Sequence, residues 1–348
     1  MIVRPIIDFN EENPEINLRT LPGLPAVRHK FESDSVWAVN AALAADRPLL
    51  VRGEPGTGKS QLARAAAAAL HWPLSYEVVT AQTECNDLLF AFDAVARLAD
   101  AQVGAAKSRT KMRAASAESE AKAPKDPLDE RNYLEPGRVW WSLNWESAQE
   151  HAEEFKHAGK KPDEPPKSDD PETTWKPGNG CVLLIDEIDK ADSDVPNGLL
   201  EVLANGSFHV PYLNERISAM GQAPLVIFTT NEERDLPAAF LRRCLVLTLQ
   251  LPKGDGLADW LVERGKVHFR EQCSENILRE AADMLVKDRS TAKQQGLPAP
   301  GQAEYLDLLR AVTALGERVP ESRREAEHER ILSKIAKFAL KKAPSVSL

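Results

Sequence analysis

Thiols are scarce in this sequence. Its 348 residues include four cysteines, Cys85, Cys181, Cys244 and Cys273. No two of them have the C-x-x-C spacing of a zinc or redox site, so four separate reduced thiols are expected. Positive charge is short as well. Forty-four Lys and Arg face 53 Asp and Glu, a net charge of −9. That balance argues against a broad nucleic-acid-binding face and leaves room only for a local basic stripe. No apolar run approaches the ~20 residues that span a bilayer. The opening MIVRPIIDFNEENPE lacks the basic-then-apolar order of a signal segment. A soluble, cytoplasmic protein without a membrane partner is expected, and no internal repeat is visible. The residues are 43% apolar, enough for one large domain and one small one.

Against this background one stretch stands out, LLVRGEPGTGKSQLA from Leu49 to Ala63. An apolar strand enters a turn of small residues, then a Lys–Ser pair, then an alanine-rich helix. Gly53, Gly58, Lys59 and Ser60 fit G-x-x-x-x-G-K-[ST]. Glycines let successive backbone N–H groups turn inward as an anion cradle, and the helix aims its positive end at the same spot. Lys59 adds a mobile charge for outer phosphates, and Ser60 a hydroxyl for Mg²⁺. The candidate nucleotide contacts are Gly53, Glu54, Pro55, Gly56, Thr57, Gly58, Lys59, Ser60 and Gln61, and the expected ligand is a nucleoside triphosphate.

The rest of the chain reads as alternating strands and helices. A helix opens near Ser33 or Asp34. Strands are expected at 48–52, 75–80, 181–185, 225–230 and 245–249, and helices at 61–70, 86–102 and 195–204. Residues 206–220 read as a hairpin. Strands alternating with helices imply an α/β fold, a parallel sheet flanked by helices. The segment 104–177 is polar, with runs such as KKPDEPPKSDDPE. It is read as an insertion whose arms, 104–131 and 150–174, are flexible. Between them lie Trp140, Trp141 and Trp145, a satellite core or a partner-binding patch. After Pro252 the pattern is helical only, with apolar stripes at Ile277, Ala281, Met284 and Leu285, at Tyr305, Leu308 and Leu309, and at Ile331, Ile335 and Phe338. The expected division is an ATPase domain at 1–252, which carries the insertion, and a small all-helical lid at 253–348.

Chemistry enters again at CVLLIDEID, a buried strand ending in Asp186-Glu187. A carboxylate at the carboxyl end of such a strand sits beside the phosphate loop in open α/β sheets. Asp186 would join Ser60 in holding Mg²⁺, and Glu187 would orient and deprotonate an attacking water. Asn231 ends a later strand, where it either touches the γ-phosphate or its water, or caps a turn. Arg242 and Arg243 end a short helix. They are either a solvated basic end or arginines offered to a neighbouring subunit, worth about 10³–10⁵ in rate where that occurs.

Taken together, GEPGTGKS, LLIDEID and TTNEERDLPAAFLRRC resemble the AAA+ ATPases, and more narrowly their MoxR-like branch. DLLFAFDAVARLADAQ, EPGRVWW and GSFHVPYLNERI are similar to segments of that branch. The resemblance covers residues 30–100 and 133–252. It implies a ring, usually a hexamer, with ATP between subunits, Asn231 in the sensor 1 strand, and Arg243 or its neighbour Arg242 as the finger. It also implies remodelling of a client protein, often one with a von Willebrand A-type domain. One departure concerns the lid. Pro298 and Ala299 stand where a basic sensor 2 residue is looked for, leaving Lys293 as a substitute or the sensor absent. The expected activity is Mg²⁺-dependent ATP hydrolysis driving client remodelling. The alternatives are a nucleic-acid-directed motor and a nucleotide-gated scaffold that seldom turns over.

Overall fold

The computed structural model describes residues 6–7, 15–21, 25–111, 128–155, 159, 161–167, 174–254 and 256–340. The strands are β1 (Glu15–Leu18), β2 (Val27–Lys30), β3 (Leu49–Gly53), β4 (Leu74–Val78), β5 (Phe90–Phe92), β6 (Leu134–Pro136), β7 (Val182–Asp186), β8 (Ser207–Val210), β9 (Glu215–Ser218), β10 (Leu225–Thr230) and β11 (Leu245–Leu249). The helices are α1 (Ser33–Ala45), α2 (Lys59–Leu70), α3 (Cys85–Leu89), α4 (Ala94–Lys111), α5 (Arg138–Leu143), α6 (Trp145–Glu154), α7 (Asp194–Asn205), α8 (Ala238–Arg243), α9 (Gly256–Phe269), α10 (Glu275–Gln294), α11 (Gln302–Gly316) and α12 (Glu321–Leu340).

Alternation along the strands explains the layering. In a strand, neighbouring side chains point to opposite faces. Leu49, Val51, Val182, Leu184, Leu225 and Ile227 face one apolar layer with α1 and α2. Leu50, Leu183, Ile185, Val226 and Phe228 face the other. Buried on both faces, these strands are continuous apolar runs, as parallel sheets require. The sheet has five strands in the order β11-β3-β10-β7-β4, and every pairing is parallel. The expected fold class is therefore the observed one, a parallel sheet flanked by helices. Helices α9 to α12 follow it and pack around a third apolar cluster that includes Leu261, Ile277, Leu285, Tyr305 and Leu309.

Three expectations need correction. The helix expected at 86–102 is interrupted. Residues 90–92 leave it to pair antiparallel with β6, and Phe92 stacks on Tyr212 with ring centroids 4.0 Å apart. Tertiary pairing overrides helix propensity there. Phe338, expected on the buried stripe of the last helix, is 74% exposed, while Ile331 is buried. Within the arms expected to be flexible, residues 104–111 belong to α4, residues 130–131 begin a helical turn that runs to Tyr133, and residues 150–154 belong to α6. Residues 112–127, 156–158, 160 and 168–173 of those arms lie outside the described residues.

The tryptophans are core. Trp140, Trp141 and Trp145 are buried, and they belong to the same apolar cluster as the sheet rather than to a separate satellite. The Trp145 ring meets Trp141 and Trp175 edge-on, at 5.1 Å and 5.0 Å. No helix among the described residues is long and apolar enough to cross a membrane.

Candidate active site

All the parallel strands deliver their carboxyl ends to one edge of the sheet, and the polar residues collect there. β3 ends at Gly53 and the chain turns through Glu54–Gly58 into α2. Gly58 has φ +91°, and a Cβ built on it would meet nothing within 4 Å, so the loop is open toward solvent at that point. Gly56 is needed for another reason. With φ +76°, its Cβ would lie 2.9 Å from the Cβ of Ala303 in the lid helix α11.

Lys59 is folded back into the loop. Its ammonium donates to the carbonyls of Gly53 (2.8 Å) and Glu54 (3.0 Å) and to Asn231 Oδ1 (2.7 Å). Burial pulls its pKa below the ordinary lysine value. The negative charges of Asp186, Asp189, Glu187 and Glu232 oppose that only in part. Next to it, the Ser60 hydroxyl lies 2.9 Å from each carboxylate oxygen of Asp186.

The Asp186-Glu187 pair is held from β10. The Thr229 hydroxyl donates to Asp186 and accepts from the Glu187 backbone N–H at 2.9 Å. Glu187 itself has φ 60°, a left-handed conformation that turns its carboxylate off the strand direction. That carboxylate accepts from Asn231 Nδ2 at 3.1 Å and from Lys190 Nζ at 2.5 Å. Lys59, Asn231 and Glu187 thus form one hydrogen-bonded chain. Beneath it the buried Asp189 accepts from the Glu233 backbone N–H at 2.9 Å and pins the turn after Asn231.

Gln61 and Thr57 line a narrow cleft between the phosphate loop, strand β2 and the lid. Its far wall carries His29, His268 and Arg264, whose guanidinium lies 4.8 Å over the Trp260 ring. Burial, followed by the Arg264 charge, pushes His29 down to about 3 and His268 to about 4, so both rings are neutral near pH 7. The Glu54 side chain turns away from the loop toward the lid. It accepts from Arg289, and Lys293 Nζ is 3.5 Å away. Arg289 is buried and also donates to the Pro300 carbonyl at 2.9 Å. Lys293, considered as the lid's basic residue from sequence, is thus the outer partner of a pair whose inner member is Arg289.

Of the residues singled out from sequence, Lys59, Ser60, Asp186, Glu187 and Asn231 are brought together. Arg242 and Arg243 are not among them. They end α8 immediately before β11, whose first residue Leu245 is in register with Leu49, the first residue of β3. Arg243 therefore lies at the amino end of the strands and the phosphate loop at the carboxyl end. The five residues of β3 between them span about 16 Å. Sequence reading missed Thr229, Asp189, Lys190 and Arg289. The first three stand beside the quoted motifs, so proximity was an available signal. Arg289 had none.

The donor set fits a magnesium nucleotide. It combines one hydroxyl, one carboxylate, a lysine and a glycine loop that is open at Gly58, and Mg²⁺ is commonly held by few protein groups plus phosphates. The sequence model for AAA domains of the dynein-related subfamily matches residues 48–244, more than half of the chain. The chain belongs to this AAA family. As an AAA protein it is an ATPase. No curated protein sequence matches it. Among solved structures it is similar to a candidate ATPase from Cytophaga hutchinsonii at 11% identity, over 88% of this chain and 79% of that one, with a TM-score of 0.35. An overlap that loose carries no functional argument.

Proposed function

We propose that this AAA ATPase is a MoxR-like machine. It assembles into a homo-oligomeric ring, of six subunits by resemblance, and uses Mg²⁺-dependent ATP hydrolysis to remodel a client protein. The observation that carries the reading is the separation just described. The residues fit for hydrolysis collect at the carboxyl edge of the sheet, while Arg242 and Arg243 sit a strand length away at the amino edge. A finger there serves the pocket of a neighbouring copy, not its own.

In this mechanism the backbone N–H groups of Gly53–Gly58 receive the phosphates. Lys59 exchanges its carbonyl partners for the outer phosphate oxygens. Asn231 holds the attacking water beside Glu187, which takes its proton as the oxygen closes on the γ-phosphorus and the bond from that phosphorus to the β–γ bridging oxygen breaks, releasing ADP and inorganic phosphate. Mg²⁺, when bound, would draw on Ser60 and Asp186 and neutralise phosphate charge. Arg243 from the next subunit offsets the charge that develops in the transition state, with Arg242 as its neighbour. The cleft beside Gln61 and the neutral histidines suits the nucleoside. A client with a von Willebrand A-type domain is the kind that the resemblance implies.

The first test is Glu187→Gln, which keeps shape and hydrogen bonding but removes the base. ATP binding is expected to persist while turnover falls by about 10²–10⁴. Unchanged turnover would assign the base elsewhere. One observation favours a second reading, the nucleotide-gated scaffold. Lys190 and Asn231 both occupy the Glu187 carboxylate. In a scaffold both wild type and Glu187→Gln would turn over at background, whereas a base placed elsewhere leaves both well above it, so the absolute rate separates the two.

A further inference from the structure

α8 is short, six residues, and carries both finger candidates in its last turn. Its two ends are held differently. Near the start, Phe240 is fully buried and its ring lies 5.0 Å from that of Phe228. The end has no such packing. Arg242 and Arg243 border a cavity of about 690 Å³, whose walls include Leu43, Leu200, Leu203 and Leu225. A helix terminus leaves its last carbonyls without intrahelical partners. Here they are met by one side chain from far away in sequence. Arg47 Nη2 donates to the carbonyls of Arg242 (2.5 Å) and Cys244 (3.2 Å), and its Nε donates to that of Arg243 (3.2 Å). Among the described residues no carboxylate pairs with Arg47, so its charge is directed at these carbonyls.

Arg47 is itself firmly placed. It follows Asp46, which closes α1 in a left-handed conformation, and its backbone N–H donates to the Ala42 carbonyl at 3.2 Å. The next residue, Pro48, accepts from the Leu245 N–H at 2.8 Å. The planar guanidinium reaches three successive carbonyls, which a lysine ammonium matches less well, and charge-assisted bonds are the stronger kind.

We propose that Arg47 is a positioning residue for the arginine finger. It clamps the carboxyl end of α8 to the start of β3, fixing where Arg243 is presented to the neighbouring subunit. The clamp joins the end of the helix to the strand that leads into the phosphate loop, so each subunit's finger is referenced to its own nucleotide strand. The proposal rests on the ring reading above.

The test uses Arg47→Ala and Arg47→Lys in the full chain. A displacement of about 1 Å in a reacting group can cost about 10² in rate. Arg47→Ala is expected to lose kcat on that scale, with ATP affinity and ring mass unchanged. Arg47→Lys should fall between it and wild type. Mixed rings then locate the defect. Arg47→Ala subunits keep a working pocket, so mixing them with Lys59→Ala subunits, which keep a finger, should return activity. Mixing them with Arg243→Ala subunits should return none. Wild-type kcat in Arg47→Ala would overturn the proposal, as would equal recovery with both partners. If Arg47→Ala does not fold, Arg47→Lys carries the same comparison, and wild-type kcat there overturns it. The pair Lys59→Ala with Arg243→Ala is the control. No recovery in that pair overturns the ring reading itself, whereas recovery there beside a silent Arg47→Ala overturns only the role of Arg47.

Discussion

Lys59 holds three oxygens, the carbonyls of Gly53 and Glu54 and the amide oxygen of Asn231. Nucleotide binding has to release it from these, so its affinity for phosphate is a difference between two sets of contacts. Lys59→Ala removes a charged hydrogen-bond donor worth about 1.5–3 kcal/mol, which predicts ATP binding weakened by roughly 10- to 150-fold. Calorimetric titration would show it, with circular dichroism checking that the fold persists. The lowered pKa gives the same residue a pH signature. Only the protonated amine attracts phosphate, and burial brings the loss of that proton below the ordinary lysine value of 10.5. ATP affinity is therefore expected to decline with rising pH sooner than an exposed lysine would allow, and Lys59→Ala should lack that decline. An identical pH profile in the variant would assign the titration to another group.

At the scale of elements, the phosphate loop is tied to the C-terminal helices. Glu54 reaches α10, where Arg289 and Lys293 hold it, while Gly56 lies against α11. Burial pushes the Glu54 carboxyl up, but the Arg289 hydrogen bond and charge, aided by Lys293, bring it below the usual carboxylate range. A carboxyl whose pKa is lowered in the folded state stabilises it above its unfolded pKa, and the contribution disappears as pH falls through the folded value. Glu54 is half exposed, so solvent screens the pair and its contribution is on the order of 1 kcal/mol. Glu54→Gln should therefore melt slightly earlier than wild type near neutral pH and converge with it in acid. Thermal melts of both proteins across that range would test this. A difference that persists when the carboxyl is protonated would point to lost packing rather than to the charge pair.

For the whole molecule, the proposed ring implies that one chain lacks a complete catalytic site, since Arg243 lies at the amino end of the strands, away from its own phosphate loop. Hydrolysis per subunit is expected to rise with protein concentration as copies assemble. Arg243→Ala should bind ATP nearly as well as wild type, since its charge acts mainly on the transition state. Turnover measured over a dilution series beside light scattering would show whether activity follows assembly. Activity per subunit that stays constant as the assembly dissociates would mean that a single chain suffices and that Arg243 has another use.

Much of this was legible in the chain itself. The apolar runs at 49–51, 182–185 and 225–228 identify strands buried on both faces, and the spacing of Gly53, Gly58, Lys59 and Ser60 identifies a phosphate loop, because both signals are local in sequence. Asp186-Glu187 and Asn231 were readable for the same reason, each ending a recognisable strand. Other features depended on which segments the topology brings together. Residues 90–92 leave a helix-forming run only because β6 offers them a partner. Arg47 meets the end of α8 across 195 to 197 positions, and Arg289 meets Glu54 across 235. No local periodicity or spacing encodes such contacts. They exist because β11 lies beside β3 in the sheet and because the lid folds back over the loop, and only the tertiary structure decides either.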